Sequence, residues 1–236
     1  MSIIIQKVKD INDEVDWFLY APPQGGKTQW KDGYSAKEFA RFATRRKEFQ
    51  TLINEVLKKC ELKTGISFTC EPEALTSLPY SSGPRHHDLL MRSQKLIIGI
   101  EAKVNETFGK IIEKETKDAG KAKIARIEWL TDTLFPDHKN CERVDHLNYQ
   151  LLTGLAGTLL EAKRADVKQC IFLIVEFIKE DEDANPRNQE DFERFEALLP
   201  TAIVSQAMKR VFMVKEPKEE YGKEIGCWLV KKQVVI

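Results

Sequence analysis

The sequence predicts an α/β fold, a mixed central sheet flanked by helices, with its core in the order helix, three strands, helix, strand. Three observations carry this. Apolar residues recur at helical spacing over 35–60 and over 144–163. Strand-length runs lie between and after those helices, and 170–178 is continuously apolar, as expected for a strand buried on both faces. The chain has 236 residues, and at roughly 100–200 residues per domain this is one domain over 1–236 with N- and C-terminal extensions.

Composition excludes several classes. Lys+Arg and Asp+Glu each number 37, and hydrophobic residues make up 42%. That is not a collagenous, membrane or fully disordered chain. The zero balance argues against a histone-like or tail-type nucleic-acid binder, though not against a local basic face. The five cysteines, with no CxxC pair, do not form a disulfide framework or a zinc pattern. The N-terminus lacks the regions of a secretory signal. No apolar run approaches the roughly 20 residues that span a bilayer. A cytoplasmic protein is expected.

Taken in order, Ile3 to Ile5 fits a short strand or an N-terminal packing segment. Asp32-Gly33-Tyr34-Ser35 breaks the chain, and Ser35 with Glu38 fits a capping box. Phe39, Phe42, Phe49, Leu52, Ile53, Val56 and Leu57 then mark a long helix or helix pair to about Cys60. Its other faces hold seven Lys and Arg, including Arg45 and Arg46, against Glu38, Glu48 and Glu55.

A strand is expected at 66–70, then a Pro/Ser/Gly loop at 79–84, then strands at 87–91 and 96–104 around a turn at Ser93-Gln94. Residues 110–128 are charge-rich and helical, and 137–140 is a loop. In the helix over 144–163, Leu147, Leu151, Leu155 and Leu159 share one face. Residues 179–196 carry eight acids against three bases and read as a solvated loop leading into a short helix. A last strand is expected over 225–236.

The sharpest feature is Asp88 followed by Glu101-Ala102-Lys103. Alternate residues of a strand share a face. Ile98, Ile100, Ala102 and Val104 therefore form the core face, with Glu101 and Lys103 opposite. A two-residue turn would set Asp88 opposite Gly99 and make Glu101 its diagonal neighbour, at roughly 7–8 Å between Cα atoms. Two carboxylates at that separation can reach one hard divalent cation. Gly99 would leave room for the ion or a phosphate, and the Lys103 ammonium can hold a phosphate oxygen or orient water. Such a cation polarises a phosphoryl oxygen and acidifies bound water. Glu-x-Lys alone is weak evidence, since it also begins at Glu61, Glu115, Glu161 and Glu216. Only Glu101 ends an apolar strand with an acid on the strand before it. The bland alternative is an edge strand with a charged exposed face.

This arrangement resembles the PD-(D/E)XK nuclease superfamily, the restriction-endonuclease-like fold. The segments 30–38, 101–109 and 149–152 are similar to a bacterial, restriction-associated group within it, and the likeness covers about residues 28–178. The resemblance implies a metal-dependent nuclease that hydrolyses phosphodiester bonds in nucleic acid, with DNA the first expectation and a restriction or phage-defence setting. It implies Asp88 and Glu101 as ligands of Mg2+ or Mn2+ and Lys103 as the catalytic lysine. His87 stands where the motif often has proline. Members often add a first-helix glutamate, which leaves Glu38, Glu48 and Glu55 open. Several branches place a glutamine on the later helix, which makes Gln150 a nucleic-acid contact beside the basic first helix with Arg45 and Arg46. Many enzymes of this fold cut as homodimers.

Gln150, Gly154, Gly157 and Glu161 lie on one stripe, with His146 and Arg143 before them. Each glycine costs a helix about 1 kcal/mol against alanine. The two glycines admit either a close-approaching ligand or tight helix–sheet packing. His86 and His87 face opposite ways on a strand, so a surface histidine pair is expected rather than a transition-metal site. Residues 21–28 loosely imitate a phosphate-binding loop, but Pro22 and Pro23 have no N–H to aim at a phosphate. An ATPase is thus the third reading. The second is a non-catalytic nucleic-acid- or partner-binding module of the same fold.

Overall fold

The computed structural model describes residues 2–80, 83–138, 142–181, 185–201 and 208–236. Among the described residues seven strands form one mixed sheet in the order β1-β2-β3-β4-β5-β7-β6. They are β1 Ile3–Ile5, β2 Phe68–Thr76, β3 Arg85–Arg92, β4 Ile97–Val104, β5 Gln169–Ile178, β6 Arg210–Val214 and β7 Lys223–Val235. β4 is parallel to β5 and β5 to β7, whereas β3 is antiparallel to both β2 and β4. β4 is therefore central and buried along its whole length, so the edge-strand alternative does not hold. Among the described residues no helix is long and apolar enough to cross a membrane.

Helices cover both faces. On the first lie α1 Glu14–Tyr20, α2 Ser35–Thr44 and α3 Arg46–Lys59, whose Trp17, Phe39 and Phe49 pack on Ile98, Ile100, Ala102 and Leu173. The even residues of β4 thus form a core face, as their alternation predicts. On the second face lie α4 Ile112–Thr116, α5 Lys121–Leu134, α6 Glu142–Asp145, α7 Tyr149–Arg164 and α8 Pro186–Leu198. There Leu151, Leu155 and Leu159 of α7 pack with Leu90, Ile97, Phe172 and Ile174. The second core arises because α7 is buried around most of its circumference.

Several local expectations are corrected. The β3–β4 turn spans Ser93 to Leu96, with Ser93 N donating to Leu96 O at 3.0 Å, so Arg92 pairs with Ile97 and Leu90 with Gly99. The register is two residues from the one a two-residue turn would give. Gly99 opens no space for an ion, because a Cβ there would lie 2.1 Å from Thr158 Oγ1 of α7. Both α7 glycines serve packing: a Cβ on Gly154 would meet the Phe172 ring at 2.5 Å, and one on Gly157 would meet His87 Nε2 at 2.9 Å. The helix begins at Tyr149, so Arg143 belongs to α6 and His146 to the link, off the α7 stripe. The Ser35–Glu38 capping box is not formed. Instead Glu38 Oε1 accepts the Gly33 N–H at 2.8 Å, and Ser35 Oγ bonds Glu106 at 3.1 Å. The phosphate-loop imitation follows the helix α1, and its Lys27 sits in a single 3-10 turn. Cys60, Cys70, Cys170 and Cys227 are buried free thiols. Ser81, Ser82, Cys141 and the acidic residues 182–183 lie outside the described residues.

Candidate active site

The β3–β4 ladder stops at Leu89 and Ile100, while β4 continues beside β5 to the Val104–Phe177 pair. At the point of parting, Asp88 Oδ2 accepts the Ala102 backbone N–H at 2.7 Å. A side chain thus takes a strand donor that has lost its neighbouring strand. The facing of side chains also changes here. Leu89 and Met91 pack with the first helical layer, yet Ala74 packs with the second, and His87 lies under Gly157 of α7. The change coincides with Glu73, which falls between the Pro72–Leu89 and Ala74–His87 pairs and has φ of +48°. That left-handed backbone is uncommon outside glycine and asparagine. Lys7 Nζ holds the distortion by donating to the carbonyls of Pro72 at 3.0 Å and Glu73 at 2.7 Å.

A cavity of about 610 Å³ fills the opening. Asp88, Glu101, Lys103 and Gln150 all line it, with Glu73, Arg85 and Glu106 beside them. The stretch from Pro23 to Ala36 contributes one wall, and Lys123, Tyr149 and Thr153 another. The odd positions of β4 therefore face this cavity and α7, not open solvent.

Glu101 is the electrostatic centre. Its Oε2 is paired with Arg85 Nη2, and its Oε1 accepts from Lys103 Nζ at 2.6 Å. Burial opposes its charge, but the two cations outweigh burial and hold its carboxyl below the usual range. Lys103 is pushed up, because Glu101 and Asp88 together outweigh its own burial. For Asp88, burial and the negative charge of Glu101 push the carboxyl up to about 7. Burial, with Asp88 as the next cause, pushes Glu73 up to about 9. Four acids thus line one opening, Asp88, Glu101, Glu73 and Glu106, and among the described residues Glu101 is the one paired with two cations of the same cavity.

Asp88 and Glu101 are the residues fit to hold a hard divalent ion. Their mutual repulsion, read in the raised Asp88, is what such a cation relieves. Among the described residues no set of three or more His, Cys, Asp and Glu side chains forms a full ligand cage. Two carboxylates still suit Mg2+, which keeps several waters and takes substrate phosphate oxygens. Arg85 would have to leave Glu101 Oε2 for that oxygen to serve, and Lys103 shares the other.

Other candidate residues lie elsewhere. Arg45 pairs with Glu48 at 3.0 Å on the surface, and Arg46 donates to the Ile11 carbonyl. Neither lines the cavity. Glu55 pairs with Lys232 at 3.0 Å, and Glu38 is tied to Gly33 and Arg41, so none of the three helix glutamates lines it. The acid that does join comes from β2, Glu73. Sequence reasoning missed it because a strand with proline at 72 gives no sign of a left-handed residue next to it. Arg85 was missed because it follows Gly83-Pro84 and reads as loop. His87 is not on the surface: it is fully buried, and both ring nitrogens lack partners among the described residues. Burial, then the charge of Arg85, holds it well below the ordinary histidine range.

Fold and site together define an α/β protein with a charged cavity where two central strands part. Residues 10–233 match the model of a family described as a domain of unknown function, DUF6946, and the chain belongs to that family. No curated protein and no solved structure matches the chain.

Proposed function

We propose that this protein is a metal-dependent nuclease of the PD-(D/E)XK type, acting on nucleic acid with DNA the first substrate to test. The observation that carries the reading is the convergence of Asp88, Glu101, Lys103 and Gln150 on one cavity where β3 and β4 diverge. The order α2–α3, β2, β3, β4, α7, β5 supports a restriction-endonuclease-like core. Mg2+ or Mn2+, when bound by Asp88 and Glu101, supplies charge for the phosphoryl oxygens and a more acidic water. The chain's own residues do the rest. Lys103, kept charged by its two acids, is placed to orient water or hold a phosphate oxygen. Gln150, in the first turn of α7, offers its amide to the nucleic-acid backbone. Lys123, on the same wall and 5.2 Å from the Tyr149 ring centre, is already paired with Glu115.

The second reading, a non-catalytic nucleic-acid- or partner-binding module, has one observation in its favour: both oxygens of Glu101 are engaged by Arg85 and Lys103. Incubation with plasmid, linear and single-stranded DNA in Mg2+ or Mn2+ separates the two. The nuclease reading expects cleavage that stops on chelation. Binding without cleavage in every metal would leave the module.

A further inference from the structure

Arg85 has more capacity than its contacts use. Its side chain is 8% exposed and lines the cavity floor. One guanidinium nitrogen, Nη2, holds Glu101, while the buried Nε has no hydrogen-bond partner among the described residues. A buried donor left unmade destabilises the fold unless a ligand takes it. An arginine carries five donors in a planar fork that matches phosphate oxygens two at a time. The surroundings hold it in place. Its stem lies against α7, where a Cβ on Gly157 would come within 3.2 Å of Arg85 Cγ. The loop leading into it is fastened by Arg126, which donates to Pro79 O at 3.0 Å and Gly83 O at 2.8 Å.

Charge completes the argument. With Arg85 and Lys103 both on Glu101, the trio already carries net positive charge. A divalent ion at Glu101 would meet Arg85 as both competitor and like charge. A phosphodiester lifts both obstacles at Glu101, because it takes the guanidinium and its own negative charge offsets that cation, while Asp88, Glu73 and Glu106 line the same cavity.

From this we infer that Arg85 is a phosphate-binding residue that alternates between Glu101 and the substrate phosphodiester, so that divalent metal and nucleic acid bind cooperatively. This rests on the proposed metal site and adds its substrate contact and its order of assembly. The coupling is reciprocal: whatever factor the nucleic acid adds to metal affinity, the metal adds to nucleic-acid affinity.

The test is calorimetric titration of Ca2+, a hard oxygen-seeking ion, into full-length wild type, Arg85→Met and Arg85→Lys. Each is titrated with and without a short oligothymidylate, after circular dichroism confirms folding. Wild type is expected to bind Ca2+ weakly alone and about tenfold more tightly with the oligonucleotide, within the usual range of coupling. Arg85→Met is expected to bind Ca2+ alone about tenfold more tightly than wild type and to lose the coupling. Arg85→Lys keeps a competing charge but not the fork, so it should bind Ca2+ alone as wild type does, with the coupling reduced. Unchanged Ca2+ affinity and intact coupling in Arg85→Met overturn the role of Arg85 while the metal site stands. No Ca2+ binding by any of the three, with or without oligonucleotide, overturns the metal site itself and this inference with it.

Discussion

Glu101 balances two cations, and that sets what substitutions around it do. Glu101→Gln leaves Arg85 and Lys103 buried without their anion. Breaking a buried pair from one side costs about 3–5 kcal/mol, so the urea midpoint should fall by that equivalent. Lys103→Ala should cost less, because Arg85 still holds the carboxylate. A null effect of Glu101→Gln on the midpoint would mean the ion pairs do not form. His87 offers a separate readout. Its folded pKa is depressed, so the unfolded chain binds a proton that the folded one refuses. The stability it contributes is complete above about pH 6.5, its unfolded value, and drains away as pH falls below that. Urea melts from about pH 7 to about pH 5 should show this loss in wild type and a shallower one in His87→Leu. Identical slopes would place the ring in water.

Among the elements, α7 shows how helix and sheet share one surface. Gly154 stands where a methyl group would strike the Phe172 ring at 2.5 Å. Gly154→Ala gains up to about 1 kcal/mol of helix propensity but meets an overpacking cost of about 1–3 kcal/mol. The net expectation is destabilisation, and a raised melting temperature would refute this packing. The glycine spacing on α7 and the apolar alternation of β4 were both legible in the sequence, since a period of two or 3.6 follows from backbone geometry where an element is regular. Register was not. It depends on whether the turn takes two residues or four, and Ser93 closes the longer one through its own backbone and hydroxyl. The extent of β2 was hidden for a similar reason. Pro72 and Glu73 interrupt its pattern, although the strand runs on to Thr76. That interruption turns Ala74 toward α7 and brings Glu73 to the cavity, so the least readable segment helps build the site.

At the scale of the whole molecule, the two sheet faces have different tasks. The first helical layer, including the basic stretch from α2 to α3, closes one core, and several of its cations are spent internally. Lys37 pairs with Asp32 at 3.0 Å, and Arg41 is shared among Glu14, Asp32 and Glu38. The second layer brings α5 and α7 to the parted strands. In this chain of zero net charge, Arg85 and Lys103 lie inside a cavity. Nucleic-acid binding by such a protein should be modest and strongly weakened by salt. The measurement that tests the central claim most directly is Mg2+-dependent cleavage of DNA by wild type beside Lys103→Ala. The account predicts cleavage abolished by chelation and reduced about 100-fold or more in the variant, the scale of losing one preorganised electrostatic donor. Undiminished cleavage by Lys103→Ala, or none by wild type in any divalent metal, would contradict it.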